Sequence, residues 1–262
     1  MRFTRNLFLG ALAIVSAPGC AAAGELPGVD EYLRLVDVVI AARNEAGAPL
    51  PESDPRVQAL VAMASDRKVF GRSSIADSKS LSGEDVIRVA DVATKTAEVL
   101  GGYLPPPAAT PPPANIMARA VANGNKYHGV SGPLFAFSLT TMARSVAGFT
   151  TLLETVPQDQ RAAKMPVVRT IRSGAIRLLS EVFGMTWPVE GADEKARQAI
   201  LHAAVDAAPV IAGSLTTTER KEVWRQAFQA RVLAAPEDQG TLQKIDRAFM
   251  GTDCVDLCAF GE

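Results

Sequence analysis

Between Pro133 and Val156, seven apolar residues step along the chain by 4, 3, 4, 3, 4 and 3 positions: Phe135, Leu139, Met142, Val146, Phe149, Leu153 and Val156. An α-helix turns once every 3.6 residues and lines such a series up on one face, whereas a strand, with its period of two, scatters it. Leu134, Phe137 and Leu152 widen that face beyond a narrow zipper seam, so the segment is expected at the centre of a core. A membrane span is the rival reading. Arg144 argues against it from mid-segment, because a charge at the bilayer centre costs at least ~2.5 kcal/mol. Thr140, Thr141, Thr150, Thr151 and Glu154 are expected on an outer face.

The same period recurs along the rest of the chain. Residues 29–46 carry Tyr32, Val36, Val39 and Ile40 on one stripe and stop at Gly47. A shorter helix begins at Asp54, with Pro55 in the first turn where its missing N–H costs nothing, and buries Val57, Leu60, Val61 and Met63. Residues 69–81 are polar and read as loop. Ser82 then caps a helix, Asp85 completes a capping-box-like pair, and Gly101-Gly102 is expected to end it. Its inner face is Val86, Val89 or Ala90, Ala93, Ala97 and Leu100. Further helices are expected from Pro166 to Phe183, from Ala192 to Ala208, from the box Thr216-Thr217-Thr218-Glu219 onward, and around Leu242, Ile245 and Phe249. The helix after the box should turn Val223, Trp224, Ala227, Phe228 and Val232 to one side. No alternating strand pattern is found. The fold class is therefore all-α, a multi-helix and mostly antiparallel bundle.

Six prolines lie between Pro105 and Pro113. Each fixes φ and lacks a donor, which makes residues 104–113 a stiff extended spacer. It divides an N-terminal helical unit, residues 24–103, from a C-terminal bundle, residues 114–262.

The first 23 residues read as an export signal. Arg2 and Arg5 form a positive start, Leu7 to Val15 an apolar stretch, and Ala21 and Ala23 suit a peptidase that accepts only small side chains. Gly19-Cys20 supports a competing expectation, a lipoprotein anchored at Cys20, although Ala17 and Pro18 match that motif poorly. Either outcome places the chain in the periplasm or outside the cell. Cleavage at Ala23 leaves Cys254 and Cys258, an even pair for which an oxidising compartment favours a disulfide. Four residues apart on a regular helix they are poorly aimed at each other, so the bridge wants a turn, which Gly251 permits.

Composition narrows the function. Loss of Arg2 and Arg5 takes the 27 basic residues to 25 against 28 acids, a balance of about −3, which gives no basis for nucleic-acid binding. Only two histidines, His128 and His202, are present, and no nucleotide, haem or metalloprotease motif occurs, so neither cofactor nor metal is expected. Ser65-Asp66-Arg67-Lys68 spells SxxK without the partner motifs of penicillin-recognising enzymes and reads as a solvated helix end. His202 and Asp206 form a surface pair at i, i+4.

The richest polar stretch is residues 123–132. There Lys126, Tyr127, His128 and Ser131 precede the core helix, and its free N–H groups suit an anion or a ligand carboxylate. The plainer reading is a turn with Ser131 as cap. Arg161, Lys164, Arg169, Arg172 and Arg177 make a basic run, read as a solvated outer face or a contact for lipid headgroups.

Amphipathic faces without catalytic motifs lead to the expectation of a non-enzymatic envelope protein that binds a partner protein or a small apolar ligand. The alternatives are an envelope enzyme, such as a peptidoglycan-cleaving protein with a glutamate acid, and a peripheral membrane protein. Membrane contact would run through a lipidated Cys20 or the Arg161–Arg177 run.

Overall fold

The computed structural model describes residues 26–66, 68–71, 73–103, 126–185, 193–251 and 258. Among the described residues there are eight α-helices and no strand: α1 (Val29–Ala46), α2 (Pro55–Ser65), α3 (Gly83–Tyr103), α4 (His128–Glu154), α5 (Arg161–Met185), α6 (Glu194–Ser214), α7 (Thr217–Leu233) and α8 (Pro236–Phe249). Short 3₁₀ turns occupy Ala76–Ser80 and Gln158–Gln160. The fold is all-α. The export segment 1–23, the spacer 104–113 and Cys254 lie outside the described residues.

Local chemistry explains where several helices begin. Asp54 accepts the Arg56 N–H at 2.9 Å and so caps α2, with Pro55 at the first helical position. Ser82 Oγ accepts the Asp85 N–H and donates to the Asp85 carboxylate. Thr216 and Glu219 form the reciprocal box that opens α7. Gly28, before α1, holds φ at 71°, and a Cβ there would sit 2.3 Å from the Lys68 carbonyl oxygen. Only glycine lets residues 26–28 cross so close to the loop after α2, where the Phe70 N–H donates to Pro27 O.

Four helix ends differ from the sequence reading. Helix α3 continues through Gly101-Gly102 to Tyr103, whose buried ring packs on Tyr127 with centroids 5.2 Å apart. Beside Gly102 the Arg43 side chain fills the space that a Cβ would take, so packing outweighs the ~1 kcal/mol cost of each helical glycine. Helix α4 starts at His128, five residues before Pro133, and α5 starts at Arg161, five before Pro166. Helix α6 runs past Pro209 to Ser214 because Ile211, Ala212 and Ser214 are buried beyond it. Beyond Pro209 burial of the next turn offsets the one hydrogen bond that the proline forfeits, whereas residues 161–165 ahead of Pro166 are exposed or half-buried.

Helix α4 is the axis. Eighteen of its 27 residues are buried, on every side rather than on one stripe. The seam residues Phe135, Leu139, Met142, Val146, Phe149 and Leu153 are among them. Thr141 and Thr150, expected on an outer face, are buried too. Their hydroxyls, with those of Ser138 and Ser145, donate to carbonyls one turn back, which satisfies them inside the core.

Helices α2, α3 and the Ala76–Ser80 turn pack on one side of α4, α6 on another, and α5 beside it. Helix α1 covers α2 and α3, and α8 sits against α6 and α7. Two glycines set the spacing: a Cβ at Gly148 would meet Val86 of α3 at 2.6 Å, and one at Gly132 would meet Ala196 of α6 at 2.5 Å. One hydrophobic cluster runs from Val29 to Phe249, so residues assigned to 24–103 and to 114–262 share a core around α4. None of the described helices is long and apolar enough to cross a membrane.

Candidate functional site

Lys126, Tyr127 and His128 come together at the start of α4, and each of these three meets a protein partner. Ser131 is the fourth residue of α4 and not its cap. The cap comes from a distant part of the chain, because Glu52, in the α1–α2 connection, accepts the Gly129 N–H at 2.8 Å. The helix N-terminus expected to hold an external anion thus carries an internal one. His128 Nε2 lies 3.5 Å from Oδ2 of Asp193, the cap of α6. Lys126 sits over the Tyr127 ring at 5.1 Å, and that ring meets Tyr103. Beside this cluster is an open cleft of about 460 Å³ lined by Glu52, Ser53, Val57, Gln58, Val61, Ala62, Gly129 and Val130.

Arg144 defines a second place, one that the sequence reading used only to argue against a membrane span. It projects from mid-α4, is 7 % exposed, and reaches into the segment read as plain loop. That segment is folded against the core. Val69 and Phe70 are buried, and Phe70 takes φ of 66°, a left-handed conformation that a bulky side chain adopts only when its surroundings hold it. Arg144 supplies part of that hold. Its Nη2 donates to Ser73 O, and its Nη1 donates to Ser74 O at 3.0 Å and lies 3.3 Å from the hydroxyls of Ser73 and Ser78. Its guanidinium lies 4.8 Å from the Phe70 ring centroid, and Phe70 stacks on Phe137.

No carboxylate among the described residues comes within ion-pair distance of Arg144, and its buried Nε–H has no hydrogen-bond partner. Burial pulls the guanidinium below its ordinary pKa, and the charge of Asp77 acts in the opposite direction. A cleft of about 370 Å³ opens beside it, lined by Arg144, the hydroxyl-bearing Ser73, Ser78 and Ser80, Asp77, Gly71, and the apolar Leu26, Pro27, Phe70 and Leu81. Its volume falls at the small end of the range that small-molecule sites span, and its lining mixes polar and apolar side chains. The available signal in the sequence was a lone arginine inside an otherwise greasy seam. What no pattern gave was the loop that wraps it.

The remaining candidates are placed elsewhere. Arg172 does not lie on a solvated face with its neighbours in the run. It is 2 % exposed and its Nε lies 3.6 Å from Glu219, because residue 172 falls on the buried side of α5, next to Ile171 and Ala175. Arg169 and Arg177 are exposed, Arg177 pairs with Glu181, and Arg161 donates to Val156 O. Burial pushes the Glu181 carboxyl up while Arg177 opposes it, and Glu181 lines neither cleft. His202 and Asp206 are both exposed, as is Lys68 beside Asp66. Cys258 is fully buried, and its expected partner Cys254 is outside the described residues. Phe228 and Val232 do not share the buried side of α7 with Val223 and Ala227, being 41 % and 60 % exposed, while Trp224 is half-buried and packs against the core. The steps from 224 to 228 to 232 put them on a stripe of their own, which leans toward solvent.

Comparison with protein-family models, with curated proteins and with solved structures finds no match to this chain.

Proposed function

We propose that this chain is an exported, non-enzymatic binding protein that takes a small amphiphilic ligand in the cleft between α4 and residues 70–81. The observation that carries the reading is Arg144, a buried cation with carbonyl and hydroxyl partners, set at the edge of a cleft that is otherwise largely apolar. Leu26, Pro27, Phe70 and Leu81 offer an apolar body somewhere to sit. The serines there point their hydroxyls at backbone carbonyls, as Ser73 does to Phe70 O and Ser80 to Asp77 O, an arrangement suited to holding a ligand rather than to nucleophilic attack.

Residues 1–23 act as the export signal in this reading, cleaved at Ala23, with lipidation at Cys20 as the alternative. A Cys254–Cys258 disulfide closes the tail, and the complete burial of Cys258 supports a tail fixed against the core. Consecutive helices joined by short connections pack mostly antiparallel.

The test uses two probes, octanoate and octanamide, observed by saturation-transfer NMR on the folded protein. Contact signals from at least one probe, abolished by Ser80→Trp at the exposed rim, are the expected result. No signal from either, or signals unchanged in Ser80→Trp, would overturn the reading.

A second reading, a partner protein, is supported by the Trp224–Phe228–Val232 stripe. If a second copy of the chain is that partner, sedimentation of the purified protein reports a dimer that Val232→Glu converts to monomer. A monomer in both removes this reading.

A further inference from the structure

We infer that the ligand of the Arg144 cleft carries a single carboxylate, which pairs with the Arg144 guanidinium while its apolar body lies on Leu26, Pro27, Phe70 and Leu81. The inference rests on the cleft reading above and adds the chemistry of the head group.

The argument begins with the charge. Taking a guanidinium out of water costs several kcal/mol, and carbonyl dipoles return only part of it. Among the described residues several arginines meet acids, Arg197 3.1 Å from Asp238, Arg231 3.0 Å from Asp246 and the buried Arg172 3.6 Å from Glu219, while the buried Arg220 donates to the carbonyls of Gly251 and Leu215. Arg144 has carbonyl and hydroxyl partners, and it lines a cleft. Its Nη2 has one N–H without a partner among the described residues, since only Ser73 O takes a bond from that nitrogen. Ser78 Oγ, itself 3.3 Å from Nη1, gives the site a hydroxyl beside the cation. A carboxylate supplies what the protein withholds, and a charge-assisted hydrogen bond to it in this dry setting is about twice as strong as a neutral one.

Three features select a monoanion over phosphate. The site brings one positive charge, so a dianion would retain net charge in a low-dielectric place. Asp77 lines the same cleft and repels additional negative charge. The walls are apolar on several sides, which rewards a hydrocarbon body and penalises a fully hydrated ion.

The experiment compares octanoate with its neutral isostere octanamide on the wild-type protein, and adds inorganic phosphate as a competitor. Octanoate should bind about tenfold tighter than octanamide, a difference of about 1.4 kcal/mol, and phosphate should not displace it. Ser80→Glu, which adds a negative charge at the exposed rim, should weaken octanoate severalfold more than it weakens octanamide. Arg144→Met should bring the two affinities together. Equal wild-type affinities would overturn the carboxylate assignment while leaving the cleft reading intact. Displacement by phosphate at concentrations comparable to octanoate would overturn the choice of a monoanion. Binding of neither probe would overturn the cleft itself and the inference with it.

Discussion

The two sides of α4 differ in what meets their half-buried and buried arginines, although the buried Arg220 of α7 also takes carbonyl partners, Gly251 O and Leu215 O. On the α6–α8 side, Arg197 faces Asp238, which is 0 % exposed and also accepts from Gln198, and Arg231 faces Asp246. On the α1–α3 side, Arg144 faces serine carbonyls, serine hydroxyls and a phenyl ring. A guanidinium matched by an acid is electrically finished and serves to fix one helix against another. A guanidinium left with dipoles keeps a positive field in a dry place, and beside a cleft that field would favour an anionic group. Ion pairs on the α1–α3 side, Arg88 with Asp30 and Lys95 with Asp37, lie at the surface, where each contributes at most about 1 kcal/mol. That side is held instead by apolar contact and by the buried hydrogen bond of Tyr32 to Thr96 at 2.8 Å, in which Thr96 donates onward to Val92 O.

The sharpest way to break the comparison is to remove an acid from the paired side. Asp238→Ala leaves Arg197 buried without its main partner and should cost about 3–5 kcal/mol in urea unfolding, whereas Arg197→Met with Asp238→Leu should recover most of that loss. Equal instability in the single and double variants would show that Asp238 acts through packing and not charge.

Arg144→Met should cost less, about 2 kcal/mol, because it leaves no opposite charge stranded and the carbonyls of the exposed Ser73 and Ser74 can turn to water. A cost as large as that of Asp238→Ala would mean that the two sides are built alike.

Helix spacing differs as well. Gly132→Ala drives a Cβ onto Ala196 Cβ and to within 3.1 Å of its Cα, so backbone must move, and about 2 kcal/mol is expected. Gly148→Ala meets the methyl groups of Val86 and should cost about 1 kcal/mol. Thermal unfolding of the pair orders them, and a reversed order would place the tighter packing on the α3 side.

Alkali should act first on the α1–α3 side. Burial pushes the Tyr103 phenol up to about 12 from its ordinary 10.0 and raises that of Tyr32 further still. A phenol whose folded pKa is raised favours the folded state below pH about 10, and that contribution is lost as pH climbs toward about 12. Phenolate absorbance should therefore appear together with unfolding in that window. Ionisation of Tyr32 and Tyr103 near pH 10 in a folded chain would contradict the burial.

How much of this was legible in the sequence depends on whether a feature is local. The seam from Phe135 to Val156, the Asp54–Pro55 start and the Thr216–Glu219 box depend on neighbours within a turn or two, and they appear as read except that Val156 lies beyond the end of α4 and is half-buried. Helix ends differ from the sequence pattern at Gly101, Pro133, Pro166 and Pro209; at Gly101 and Pro209 what overrides the breaker is burial supplied by distant chain. The site was least legible of all. Glu52 reaches Gly129 across 77 positions and Arg144 reaches Ser73 across 71, and no spacing rule spans such distances. The stripe of α7 was merged into one face because Val223 and Trp224 are adjacent in sequence and only packing separates them.

Hydrogen exchange of the folded protein with and without octanoate tests the central claim most directly, since it reads both sides of α4 at once. Added protection confined to residues 68–81 and to α4 around Arg144, with the amides of α6 to α8 unchanged, is the predicted result. Protection spread evenly over the chain, or centred on α6 to α8, would contradict the assignment of ligand binding to the side with the unmatched arginine.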